Sequence, residues 1–155
     1  MANYTYAVFN PYIPKNLITE GDRRIIEAFG ISMENAGFGN VYLCTNNLRL
    51  FASLESEGEE KELDINDLYS CFQGILRHSN GELTWISQET AHTCSHSLHF
   101  QFGGRAFLIT ADEVQYVSTS EWLRDRIIET TTGGTGPKAE DPEASVPQDE
   151  KPLFC

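Results

Sequence analysis

Residues 41–81, VYLCTNNLRLFASLESEGEEKELDINDLYSCFQGILRHSNG, contain the patterns that decide the fold class. Val41–Cys44 and Leu48–Leu54 alternate apolar and polar residues, and Asn46-Asn47 lies between the two segments. Alternation with a period of two is typical of a half-buried strand, and asparagines favour a tight turn. The first part of this stretch therefore predicts a β-hairpin.

The second part of the same stretch predicts an amphipathic helix. Asp64 stands in the N-cap position, and Asn80-Gly81 is a typical helix end. Between them, apolar residues recur at helical spacing: Leu68, Phe72, Ile75 and Leu76. A hairpin followed by an amphipathic helix indicates that the chain mixes α and β structure.

Capping patterns predict two more helices, one on each side of this stretch. Thr19 and Asp22 have capping-box spacing, and Gly30 suits the residue after a helix end. Ser118 and Glu121 have the same spacing and open a last helix. We expect its large apolar residues to face the core: Trp122, Ile127 and Ile128.

Short apolar or aromatic runs supply the remaining strand candidates. They are Tyr4–Phe9, Leu83–Gln88, Leu98–Phe102, Ala106–Thr110 and Val114–Val117, with Gly103-Gly104 as a second hairpin turn. Helices interspersed with hairpins predict an α+β fold. We expect a mainly antiparallel sheet of about five to six strands with three helices.

The domain organisation follows from composition. Residues 1–130 carry nearly all of the apolar periodicity and are expected to form a single α+β domain. Residues 131–155 are rich in Gly, Pro, Thr and acidic residues, with few apolar ones before Leu153 and Phe154. Such a segment cannot offset its own ordering entropy, so we expect a disordered acidic tail.

The charge of the chain restricts its partners. The 155 residues have a net charge of −12, which disfavours direct binding of nucleic acid or an anionic membrane. The four cysteines are scattered, and no apolar run is long enough for a membrane span. We therefore expect a cytoplasmic protein, a monomer or homodimer, with cationic protein surfaces as partners.

Half of this net charge is concentrated in one run. Seven acidic residues and Lys61 give residues 55–67 a charge of −6: Glu55, Glu57, Glu59, Glu60, Glu62, Asp64 and Asp67. The run could be a solvated loop that leads into a helix N-terminus. It could also be a Ca²⁺ loop that uses Glu55, Glu57, Glu59 and Gly58, or a surface that mimics a nucleic-acid backbone.

A second cluster has metal-ligand chemistry. It comprises His92, Cys94, His96 and His99, with His78 as a further candidate ligand. In an extended strand, residues 92, 94 and 96 project to one face, where two imidazoles and a thiol could hold Zn²⁺. The same residues could form a Cys-His nucleophile pair in a hydrolase, or a polar turn beside the sheet.

Aromatic residues near the N-terminus have two interpretations. Tyr4, Tyr6, Phe9 and Tyr12 could form a stacking surface for bases. On an acidic protein, core and edge packing is the expected role.

Three stretches together resemble small acidic proteins of unassigned function from bacterial plasmids, integrative elements and phages. They are residues 17–20 with 28–30, residues 93–95 with 102–104, and residues 107–112 with 114–116 and 118–119. The resemblance spans about residues 17–128. In that group the residue at the place of His96 is typically basic and no histidine matches His92, so a shared zinc site is not implied.

The resemblance implies an origin in a mobile genetic element and a location in the cytosol of a bacterial host. Small acidic proteins of that origin are similar in size and charge to anti-CRISPR and anti-restriction inhibitors. We therefore expect a non-enzymatic, anti-CRISPR-like inhibitor that needs no cofactor. It is expected to bind a basic groove of a defence complex by partial mimicry of nucleic acid. The alternatives are a small zinc protein or hydrolase at the histidine cluster, and a dedicated protein–protein interaction module.

Overall fold

A computed structural model describes residues 3–94 and 103–132 of the chain. The predicted strand Leu98–Phe102 lies outside these residues, as do His96, His99 and the predicted tail from residue 133 onward. Thr131 and Thr132, placed in the tail by composition, are the last two residues of a helix.

The described residues form nine strands, three α-helices and one short 3-10 helix. In chain order the elements are β1 (Asn3–Asn10), β2 (Ile13–Pro14), the 3-10 helix (Lys15–Leu17), α1 (Glu20–Ala28), β3 (Ser32–Gly37), β4 (Asn40–Thr45), β5 (Phe51–Ser56), β6 (Glu59–Asp64), α2 (Ile65–His78), β7 (Ile86–Cys94), β8 (Gly103–Ile109), β9 (Val114–Ser118) and α3 (Thr119–Thr132). The α+β class, the mainly antiparallel sheet and the three helices are confirmed.

Seven strands form the main sheet, and the other two form a separate hairpin. The order of the main sheet is β2-β4-β1-β7-β8-β9, and β3 also pairs with β4. All of these pairings are antiparallel. The separate hairpin consists of β5 and β6. It contacts both α1 and α2, which places it on the helical side of the main sheet.

The core lies between one face of the main sheet and helices α1 and α2. Along β1, Ala7 and Phe9 are buried whereas Tyr6 and Val8 are exposed, so the two faces of the sheet differ sharply. The ring of Phe9 packs against Phe72 of α2 at a centroid distance of 5.6 Å. Below, we call the face that carries Tyr6 and Val8 the open face.

Helices α1 and α2 have the caps and core faces that the sequence predicts. The backbone N–H of Asp22 donates to Thr19 Oγ1, and the N–H of Thr19 donates to Asp22 Oδ2, both at 3.0 Å. Gly30 follows α1 in the left-handed region at φ +86°. The predicted core residues of α2 are all buried: Leu68, Phe72, Ile75 and Leu76.

The prediction of a hairpin around Asn46-Asn47 is wrong. β4 pairs with β1, β2 and β3, and β5 pairs with β6 instead. The intervening residues form a crossing: the N–H of Leu48 donates to Thr5 O at 2.9 Å, and the N–H of Arg49 donates to Phe29 O at 3.0 Å. These hydrogen bonds hold the chain against two distant elements, which local alternation cannot indicate.

The prediction of a turn at Gly103-Gly104 is also wrong. Both glycines lie in β8, where Gly103 pairs with His92 and Gly104 pairs with Ala91. A Cβ at Gly104 would lie 3.4 Å from Thr119 Cγ2, in ordinary van der Waals contact with the start of α3.

The third correction concerns the surroundings of α3. The helix begins as predicted, since the N–H of Glu121 donates to Ser118 Oγ at 3.0 Å. However, Trp122, Ile127 and Ile128 are half-exposed, and no α3 residue is buried. These side chains do not reach the core, because α1 and α2 fill the opposite face of the sheet.

Candidate protein-binding surfaces

The acidic run forms the separate hairpin rather than a loop. Ser56 of β5 pairs with Glu59 of β6, which leaves Glu57-Gly58 as a two-residue turn. Both turn residues have positive φ, +52° and +81°. Two consecutive positive φ angles are typical of a type I′ turn, whose twist matches that of the flanking strands. We call residues 51–64 the acidic hairpin.

The two faces of the acidic hairpin have different chemistry. Ala52 and Leu63 form one cross-strand pair and pack toward the core. Because side chains alternate along a strand, the pairs next to this one point away from the core. Glu62 lies opposite Ser53, and Glu55 lies opposite Glu60, on this outer face. Glu57 occupies the turn. Glu59, which is next to the turn, lies on the same face of the hairpin as Leu63.

Asp64 and Asp67 have a structural role at the start of α2. Asp64 Oδ1 accepts from the N–H of Asn66, and Asp67 Oδ2 accepts from the N–H of Asp64, both at 2.9 Å. Such a capping box satisfies N–H groups that have no partner within the helix. These two carboxylates contribute charge to the acidic run, but their oxygens also accept hydrogen bonds from backbone N–H groups.

No glutamate of the acidic hairpin forms an ion pair within residues 3–94 and 103–132. The ion pairs found there join Arg23 to Glu20 and Glu27, and Arg126 to Glu129. Arg24 is close to the hairpin, but its Nη2 donates to the backbone oxygen of Glu55 at 2.6 Å. The five glutamate carboxylates therefore face solvent without a cation from the described chain: Glu55, Glu57, Glu59, Glu60 and Glu62.

The histidine cluster is only partly described. His92 lies on β7, and its Nδ1 is 3.2 Å from Thr5 Oγ1 on β1. Cys94 is the last residue of β7, and His78 is the last residue of α2. Within the described residues, no three His, Cys, Asp or Glu side chains form a group able to hold a metal ion. The zinc and hydrolase hypotheses remain predictions, because His96 and His99 lie outside those residues.

The open face of the main sheet carries a second surface, which includes two of the aromatic residues for which core and edge packing is expected. Tyr4, Tyr6 and Val8 project from β1 and are exposed. The rings of Tyr4 and Tyr6 are stacked, with centroids 6.2 Å apart. Core packing, expected for the aromatic residues near the N-terminus, holds for Phe9, whereas Tyr12 is also exposed.

An apolar groove runs between the open face and α3. Its volume is about 710 Å³. Tyr6 and Val8 form one wall, and Trp122 and Leu123 of α3 form the other. Small residues lie between the walls: Ala91, Gly104 and Ala106. Concave apolar surfaces of this kind are typical of binding sites. We call this surface the α3 groove.

Comparison with known proteins gives no match: no protein-family model, curated protein or solved structure is significantly similar to this chain. None of the described helices has the length and apolar character needed to cross a membrane. Functional inference therefore rests on the acidic hairpin and the α3 groove.

Proposed function

We propose that this protein is a non-enzymatic inhibitor that binds a basic groove of a nucleic-acid-targeting defence complex, in the manner of anti-CRISPR proteins. The observation that carries the proposal is the acidic hairpin, whose five glutamates form no ion pair within the described residues. A carboxylate array that is held on a hydrogen-bonded scaffold and pairs with no described cation favours a cationic partner.

The spacing of the glutamates supports partial mimicry of a nucleic-acid strand. Glu60 and Glu62 lie two residues apart on the outer face, which corresponds to about 6.8 Å along a strand. One strand of duplex DNA carries a charge every ~3.4 Å of helix axis, so this separation matches about two steps. Lys and Arg side chains that bind alternate phosphates of one strand can therefore also contact these carboxylates.

Attachment to the domain keeps the array in place. Leu63 is buried, and Arg24 of α1 ties the backbone of β5 to the helical layer. A preorganised surface loses little conformational entropy when it binds. Charge steering raises the association rate, and screening makes the affinity fall with salt.

The test compares two variants of equal net charge. The first replaces Glu57, Glu59, Glu60 and Glu62 with Gln, and leaves the capping residues Asp64 and Asp67 unchanged. The matched control replaces exposed glutamates elsewhere: Glu20, Glu34, Glu82 and Glu113. Each variant has a net charge of −8 (−12 + 4).

Each protein is immobilised and exposed to a bacterial lysate that contains restriction and RNA-guided nucleases, at ~50 and ~300 mM salt. We expect the unmodified chain and the control to capture a nuclease complex and inhibit its cleavage of DNA, more weakly at high salt. The hairpin variant should lose both properties while circular dichroism shows that it remains folded. Equal inhibition by the folded hairpin variant would contradict the proposal.

A further inference from the structure

Helix α3 has four large apolar side chains spread around its circumference among five charged residues, and none of them is buried. At 100° per residue, Trp122, Leu123, Ile127 and Ile128 span about 240° around the helix axis. Each of these four side chains is about half exposed. A helix that contacts one surface needs an apolar stripe of only about 100°. The apolar side chains of α3 extend beyond one such stripe, so the open face of the sheet alone does not cover all of them.

One of these surfaces is the open face of its own sheet. The N–H of Gly104 donates to Thr119 Oγ1 at 3.1 Å, which fixes the start of α3 on β8. Trp122 and Leu123 then border the α3 groove. Ile128 is displaced by about 120° or more from both of these residues, so it points away from this groove wall.

The exposed apolar area is large enough for a stable interface. Large apolar side chains on the open face and α3 are each between about one-third and one-half exposed: Tyr4, Tyr6, Val8, Leu108, Val117, Trp122, Leu123, Ile127 and Ile128. Together they offer roughly 600 Å² of apolar surface. A standard interface buries ~800 Å² per partner, of which about 60% is apolar. This patch alone meets that requirement.

The charges of this region are compatible with a second copy of the same chain. Helix α3 carries two arginines and three acidic residues, a net charge of −1, in a chain of net charge −12. A net charge of −1 on each helix therefore causes little repulsion where two α3 helices meet. Because each contact occurs twice across a two-fold axis, Arg124 of one copy and an acidic residue of the other can form two equivalent ion pairs.

The segment that follows α3 is a poorer occupant. Beyond Thr132 the sequence contains Val146, Leu153 and Phe154 as its large apolar residues. Three such side chains are too few to cover a surface of nine. A second copy, by contrast, brings a matching set of apolar side chains.

We propose that two copies of this chain dimerise through their open faces, with α3 of each copy in the α3 groove of the other. The two α3 helices then form one layer between the two main sheets. This interface does not include the acidic hairpin, so the variant with four hairpin glutamines should dimerise like the unmodified chain.

The first test is the mass in solution of the full chain by sedimentation equilibrium, from ~1 to ~100 µM. We expect a mass twice that of the 17.4 kDa chain. Ile128→Glu should raise the dissociation constant at least tenfold, because it places a charge in the apolar interface. Phe38→Glu makes the same class of change at a fully exposed residue outside the patch, and it should have no effect.

A second readout reports the location of the interface. The chain has two tryptophans, so Trp85→Phe leaves Trp122 as the sole reporter. As the concentration rises through the dissociation constant, Trp122 emission should shift to shorter wavelength. The proposal is overturned by a single-chain mass up to ~100 µM. The proposal is also overturned by a dimer whose Trp122 emission does not shift and whose dissociation constant is unaffected by Ile128→Glu.

Discussion

Glu55 and Glu60 lie directly opposite each other on the two strands of the acidic hairpin, so one cross-strand pair joins two negative charges. Like charges in this position destabilise a hairpin, by roughly 0.2–1 kcal/mol. Glu20 and Glu27 on α1, by contrast, both pair with Arg23. The Glu55–Glu60 pair has no such cation among the described residues and lies within the proposed binding surface. This arrangement is consistent with a surface that receives its cations from a partner.

The first prediction is that Glu60→Lys stabilises the protein and weakens capture of the proposed partner. An opposite-charge pair with Glu55 should raise the free energy of unfolding by about 0.5 kcal/mol, measured by urea denaturation at low salt. The gain should largely disappear at ~1 M salt, where the Debye length is ~3 Å. Glu62→Lys has Ser53 opposite it and is the matched control. Equal stabilisation by both variants would show that total charge is responsible instead.

The second prediction separates the structural acids from those proposed to bind a partner. Asp64→Ala removes the side-chain acceptor at the N-terminus of α2 and should lower the free energy of unfolding by about 1 kcal/mol. Asp64→Asn keeps an acceptor and should cost much less, although it removes the same charge. Thermal or urea denaturation of the two variants measures the difference. A similar loss in both would mean that the charge, and not the cap, stabilises α2.

The sequence predicts α1 and α2 correctly because their capping and apolar-spacing patterns are local. The capping box of Thr19 and Asp22 and the apolar spacing from Leu68 to Leu76 need no knowledge of distant residues. Strand pairing is different, because β4 has partners that come earlier in the chain. The turn Glu57-Gly58 is also not predicted, since Glu is uncommon at positive φ and none of the three interpretations of the acidic run is a hairpin.

The α3 groove could not be predicted, because it depends on which sheet face the helices cover. Apolar spacing in α3 indicates that something covers the helix but does not identify the surface. The strand β1 gives a similar ambiguity: Tyr6 and Phe9 are both aromatic, yet one is exposed and the other is buried. Because α1 and α2 cover the face of the sheet that carries Phe9, Tyr6 and Trp122 remain exposed on the open face.

The third prediction concerns Phe38, which forms a two-residue turn with Gly39 between β3 and β4. Phe38 has a φ of +54° and is fully exposed, so it has an unfavourable backbone conformation without buried contacts. Asn tolerates this conformation, and Asn-Gly is a preferred hairpin turn. Phe38→Asn should therefore raise the free energy of unfolding by about 1 kcal/mol, as measured in urea.

Phe38→Ala is the control for this prediction. Alanine also removes the aromatic ring, but it keeps a Cβ and the cost of positive φ. If Ala stabilises the protein as much as Asn does, the exposed ring rather than the backbone conformation is the source of the effect.

The fourth prediction is a loss of stability at high pH that depends on Tyr69. Burial raises the pKa of Tyr69 to about 12, although a hydrogen bond from Gln88 and the charge of Arg105 oppose this shift. An unfolded tyrosine has a pKa of about 10, so only the folded state still holds the proton between these values. The stabilisation that protonated Tyr69 adds to the free energy of unfolding is therefore complete below pH ~10 and is lost as the pH rises toward ~12.

Urea denaturation at pH 9, 10, 11 and 12 measures this loss, which should be on the order of 1 kcal/mol for Tyr69. Burial also raises the pKa of the Cys71 thiol, so the comparison uses Cys71→Ala as the background. Adding Tyr69→Phe removes the hydroxyl while keeping a ring to pack against Phe107, 5.2 Å away between centroids. The Phe variant should lose less stability over this interval. An identical pH dependence in both proteins would assign the loss to other groups and contradict a buried, protonated Tyr69.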